Sequence, residues 1–109
     1  MTRSRGEIRR RDVARTLYFY LRYRLNLLDI DRALELEPMH APARLQRGLV
    51  LEALSRMEEA LADFDEALGL MTPFLAALNS RGGALRQLGR LDEALSSFDL
   101  ALSIQPNSA

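Results

Sequence analysis

The side chains that could do chemistry are few in this sequence and poorly spaced for it. One histidine, His40, lies in "EPMHAP" with no nucleophile beside it, and a lone histidine in such a segment reads as a loop residue. The run "DFDE" at 63–66 looks like half a calcium loop, but it lacks the turn glycine and the closing bidentate glutamate such a loop needs. "RGG" at 81–83 has the glycines of a phosphate cradle without the following Gly-Lys-Ser/Thr. The chain has no cysteine, so disulfides and thiolate metal sites are excluded. The expectation is no catalytic residue, no metal and no cofactor.

The more suggestive chemistry is at the start. "YFYLRY" at 18–23 holds four of the seven aromatic residues, with arginines on both sides. Residues 1–24 carry a net charge of +6 and residues 25–109 a net charge of −6, and all fifteen basic residues are Arg. Arginines beside Tyr18 and Phe19 could stack and pair with single-stranded nucleic acid, which is the alternative function. The acidic remainder opposes it by repelling phosphate. Equally, residues 1–12 could be a solvated arm. No apolar run approaches the eighteen residues of a spanning helix, and no uncharged apolar stretch follows the basic start as it would in a signal peptide. A cytoplasmic protein with no membrane contact is expected.

The elements that carry these residues follow from an internal repeat. "RGLVLEALSRMEEALADFDEALGL" (47–70) aligns with "RGGALRQLGRLDEALSSFDLALSI" (81–104): Gly48 with Gly82, Ala60 with Ala94, Phe64 with Phe98 and Ala67 with Ala101, every offset being 34. Each unit reads as two helices. Pro42 suits the first turn of one over 41–54, and Met57, Ala60, Leu61, Phe64, Ala67, Leu68 and Leu70 make one apolar stripe over 57–70. Small Gly48 and Gly82 allow a facing helix to approach, and stacked hairpins create the core that one hairpin lacks.

This pattern resembles the tetratricopeptide repeat, a family of 34-residue helix–turn–helix units. The resemblance implies an all-α, right-handed solenoid of about six helices in a single domain: a basic arm (1–6), a degenerate unit (7–40) and two regular units (41–74 and 75–108). In the first unit Asn26 replaces the usual Ala and Leu21 stands where a turn glycine is common. Its turn "YLRYRL" has no Gly, Pro or Asn, so one long helix from about Arg9 to Leu36 is the alternative to a hairpin. By repeat position Tyr20 and Tyr23 align with core residues, while Tyr18 and Phe19 align with the concave groove.

The family's mode of action implies a non-enzymatic scaffold that binds a peptide or helix in that groove. The lining by position is Arg11, Arg15, Tyr18 and Phe19, then Leu45, Gln46, Leu49 and Glu52, then Asn79 and Arg86. An extended acidic–aromatic peptide fits these groups. A clamp for a C-terminal carboxylate, as in one family subtype, is disfavoured, because the matching positions Arg11, Arg15, Gln46, Ala76 and Ser80 lack both cations of the third unit. Arg47 and Arg81 occupy a position where the family usually buries Leu. Inter-repeat pairs Asp29–Arg47 and Asp63–Arg81 are expected, the bland reading being solvated charges. Only "QPNSA" follows the last helix, which would leave Leu95, Leu100 and Leu102 uncovered. A homodimer through this end is expected, unless the chain is a piece of a longer array. If "YLRYRL" fails to turn, the first unit's helix is available for exchange with a second copy.

Overall fold

Turn chemistry decides how many helices this chain makes. The computed structural model describes residues 10–104, which form α1 (Arg10–Leu36), α2 (Ala41–Ala53), α3 (Met57–Leu70), α4 (Leu75–Gln87) and α5 (Leu91–Ile104). The basic arm expected at 1–6 lies outside the described residues. The α2–α3 and α4–α5 turns each pass through one left-handed residue, Ser55 (φ 62°) and Gly89 (φ 78°). In both, the next amide reaches back five residues, Arg56 N–H to the Leu51 carbonyl (2.8 Å) and Arg90 N–H to the Leu85 carbonyl (2.9 Å). This closes the helix end and reverses the chain. The equivalent residue of the first unit is Leu21, whose Cβ disfavours the left-handed conformation. No turn forms there, and α1 runs unbroken for 27 residues, about 40 Å. Of the two readings of the first unit, the single helix is the one observed, and five helices replace the expected six.

Each helix packs on the next in order, and α2 also touches α4. Leu27, Val50, Leu51, Ala60, Phe64 and Ala84 are buried together, with Ile30, Leu45 and Leu54 against them. A second cluster joins Leu61, Leu85 and Ala94, with Leu88 and Phe98 at its edge. The arrangement measures 56 × 34 × 25 Å. His40 caps α2: its Nδ1 accepts from the Ala43 amide at 3.1 Å, one of the orphan donors of the first turn.

The arginines at the seventh position of units two and three are paired, but with partners shifted from those expected. Arg47 grips Asp63 of its own unit through two bonds, Nε to Oδ2 at 2.8 Å and Nη2 to Oδ1 at 2.7 Å. Its Nη1 reaches back to Asp31 at 3.0 Å. Arg81 repeats the pattern, with Asp65 of the preceding unit at 2.6 Å and Ser97 of its own at 2.6 Å. Neither Asp29–Arg47 nor Asp63–Arg81 forms. Two residues along a helix turn the side chain by about 200°. Asp63 and Ser97 therefore face the first helix of their own hairpin, and the residues two places on, Asp31 and Asp65, face the next unit. Each arginine ties one layer to the layer before it.

Candidate binding surface

The solvent-facing rows of α2 and α4 lie on neighbouring helices. Along α2 the exposed row is Pro42, Gln46, Leu49 and Ala53; along α4 it is Ala76, Asn79, Arg86 and Gln87, with half-buried Gly83 between them. Leu49 is 39% exposed and is the large apolar group of this surface, whereas Leu45 is half-buried against the core. Glu52, also half-buried, borders the row. The surface thus offers one apolar contact flanked by an amide on each helix and by charges of both signs, a composition suited to backbone and side chains of an extended segment.

Burial pushes the Glu52 carboxyl above the usual carboxylate range. The folded chain therefore holds this proton more tightly than the unfolded chain. Stability contributed by Glu52 falls as pH rises from the unfolded carboxylate range through the raised value. Urea midpoints of wild type and Glu52→Gln, measured from about pH 4 to about pH 7, should diverge with rising pH, Gln becoming the more stable. A constant difference would show that Glu52 titrates normally.

The four groove residues expected from the first unit are elsewhere. Arg11, Arg15, Tyr18 and Phe19 sit on the N-terminal half of α1, all exposed. Among the described helices α1 packs only on α2, and its first buried residue is Leu27. Tyr18 and Phe19 meet edge to face, 5.6 Å between centroids, and both are exposed. Tyr20 and Tyr23, expected in the core, are exposed as well, because the hairpin that would bury them does not close. A shallow apolar cleft remains there, lined by Val13, Thr16, Leu17 and Tyr20.

The far end of the stack is also open. Leu61 is 5% exposed under α4, but its repeat equivalent Leu95 is 60% exposed. Leu102, two turns on along the same face, is exposed too, as is Leu100 on the opposite flank of α5. A row that sequence reasoning passed over is the outward face of α1, where Leu21, Leu25 and Leu28 are 50%, 63% and 64% exposed. Its signal was present in the repeat alignment. The second unit has Glu59 and Ala62 where the first has Leu25 and Leu28.

Comparison with known proteins agrees with this architecture. Models of the tetratricopeptide repeat match residues 22–73 and 75–108. The first match begins at Arg22, at the point where α1 leaves the stack. Among solved structures, MamA superposes with a TM-score of 0.74 at 24% identity, over 79% of this chain and 50% of MamA. The chain thus spans about half the length of the MamA structures it matches. The first TPR of Spaghetti (RPAP3), bound to the HSP90 peptide SRMEEVD, gives 0.77 at 20% identity over 86% of this chain and 75% of that one. The Arabidopsis OM64 TPR domain gives 0.76 at 22% identity, over 86% and 78%. No curated protein matches by sequence. No helix among the described residues is long and apolar enough to cross a membrane.

Proposed function

The chain belongs to the tetratricopeptide repeat family, and on that premise we propose that it is a non-enzymatic scaffold that binds a protein segment along the exposed rows of α2 and α4. A protein or peptide partner is supported by the structural neighbours, two of which are peptide complexes. The observation that carries the finer reading is Leu49, a large apolar side chain left open on α2 near Gln46, with Asn79 and Arg86 exposed on α4. Gln46 and Asn79 can bond a peptide backbone, Arg86 can pair with an acidic side chain, and Leu49 supplies the apolar contact. The projecting α1 removes Arg11, Arg15, Tyr18 and Phe19 from this site, so the segment bound is shorter than a three-unit groove would take.

Leu95 and Leu102 make a second exposed apolar surface of the same scaffold, with Leu100 exposed on the other flank of α5. Leu95 presents to solvent what Leu61 of α3 presents to α4, and a further helical layer fits there.

The groove is tested with peptides selected from a random display library on the immobilised wild-type chain. Affinity of the selected peptides should fall at least about tenfold on Leu49→Asp, with little dependence on salt. Failure to select any peptide, or peptides indifferent to Leu49→Asp and Arg86→Ala, would overturn the assignment.

A further inference from the structure

The outward face of α1, on the side away from α2, carries a seam that its repeat position does not explain. Tyr18, Leu21, Leu25 and Leu28 recur at spacings of three, four and three, the rhythm of a coiled-coil contact line. All four are exposed, from 50% to 64%. The other units show that the fold itself does not require apolar residues there: Tyr18 aligns with Glu52 and Arg86, Leu25 with Glu59 and Glu93, and Leu28 with Ala62 and Ser96. The same line continues through Ala14 and Arg11 at one end and through Arg32 and Glu35 at the other, all exposed.

Charge along α1 is sorted by end. Arg10, Arg11, Arg15 and Arg22 stand against Asp12 in the first half, and Asp29, Asp31 and Glu35 against Arg24 and Arg32 in the second. Two such helices repel when parallel, which would set Arg11 on Arg11 and Glu35 on Glu35. Turned antiparallel about a two-fold axis near residue 23, they match basic end to acidic end, and only Arg22 and Arg24, on either side of the axis, come level with like charge. Leu21 then meets Leu25 of the other copy, Tyr18 meets Leu28, the small Ala14 makes room for Arg32, and Arg11 comes level with Glu35. Arg15 lies two residues from Asp29 of the other copy, and Asp29 has no ion-pair partner among the described residues.

We propose that a second copy of this chain covers the outward face of α1, the two α1 helices forming an antiparallel pair with Tyr18, Leu21, Leu25 and Leu28 as its apolar centre and Arg11–Glu35 pairs at its ends. The unbroken α1 is what makes the pair possible, because a hairpin break at Leu21 would divide the seam. This surface is separate from the peptide row and from the Leu95 end, so the inference stands or falls without them.

Sedimentation equilibrium of the full chain tests it. Wild type should sediment as a dimer at tens of micromolar. Leu25→Glu/Leu28→Ala copies the second unit at exposed positions, so it should keep its helicity by circular dichroism while the dissociation constant rises roughly 100-fold or more. Arg11→Glu and Glu35→Arg should each weaken the dimer, and the two together should restore it. Leu95→Glu/Leu100→Glu should leave it intact. A wild type that stays monomeric at high micromolar concentration overturns the proposal. So does a dimer that survives Leu25→Glu/Leu28→Ala, or one dispersed by the Leu95 variant instead. A charge exchange that fails to restore association overturns the antiparallel register.

Discussion

Replacing Arg47 with Met should lower the free energy of unfolding by about 3 kcal/mol, the low end of what breaking a buried ion pair costs. Met retains much of the apolar stem, so the loss reports the charge rather than the packing. Asp63 is only 3% exposed and receives two bonds from Arg47. With the guanidinium gone its nearest cation is Arg44, at 3.8 Å, and the carboxylate is left largely uncompensated where water cannot reach it. The link to Asp31 goes with it, so α1 loses its charged tether to the stack. Arg81→Met should cost only about 1 kcal/mol, because it strands a neutral hydroxyl, Ser97, and an exposed carboxylate, Asp65. The third unit also suggests the control. Asp63→Ser copies Ser97, and adding it to Arg47→Met should recover more than about 1 kcal/mol by removing the buried charge. Urea melts would measure all four chains, provided the slope stays constant, since repeat arrays can lose cooperativity. An Arg47→Met chain within about 0.5 kcal/mol of wild type, or an Asp63→Ser change that only adds to the loss, would show the bridge to be solvated and idle.

The parts of this fold that could be read from residue types were those set by local rules. The 34-residue offset of small and large residues placed α2 and α3, and their equivalents α4 and α5, nearly to the residue, although the side chain lying against Gly48 is Phe64. The absence of Gly, Pro or Asn from "YLRYRL" likewise kept the single long helix in view, and the left-handed turn residues of the other hairpins explain why it wins. What depended on which side of a helix a residue faces was less secure. Asp29 and Asp31 are equally acidic and two residues apart, and only the packed stack shows that Asp31 meets Arg47. Pairing within units would set Arg81 against Ser97, which carries no charge. That contact is in fact made, through a hydroxyl instead of a carboxylate. The groove suffered most, because its first four residues were assigned by repeat position to a hairpin that does not exist. Leu25 and Leu28 are plainer residues than those of the aromatic cluster, but they stand where the second unit has Glu59 and Ala62.

Gly48→Ala should cost about 2–3 kcal/mol, against at most about 1 kcal/mol for Gly82→Ala, although the two glycines are repeat equivalents. A methyl group at Gly48 would enter the ring of Phe64, with Cδ1 only 2.8 Å away and Cζ at 3.1 Å. At Gly82 it would meet Phe98 just as hard, Cε1 and Cζ both at 2.6 Å. Space alone therefore does not separate them; the freedom of the ring does. Phe64 is fully buried between α2, α3 and α4, and its neighbours Leu51, Ala60 and Ala84 are at most 4% exposed, so moving it displaces a packed layer. Phe98 is half-buried at the open end of the stack, where it can swing toward solvent beside Leu102. Each substitution also gains about 1 kcal/mol of helix propensity, which offsets part of the first cost and most of the second. Phe64→Leu in the Gly48→Ala background should then recover stability, since a smaller side chain relieves the overlap that Phe64→Leu alone would turn into a cavity. Thermal and urea unfolding of the two single variants and the double would measure this. Equal losses at Gly48 and Gly82, or no rescue by Phe64→Leu, would mean that the core between α2 and α3 yields more readily than its burial implies.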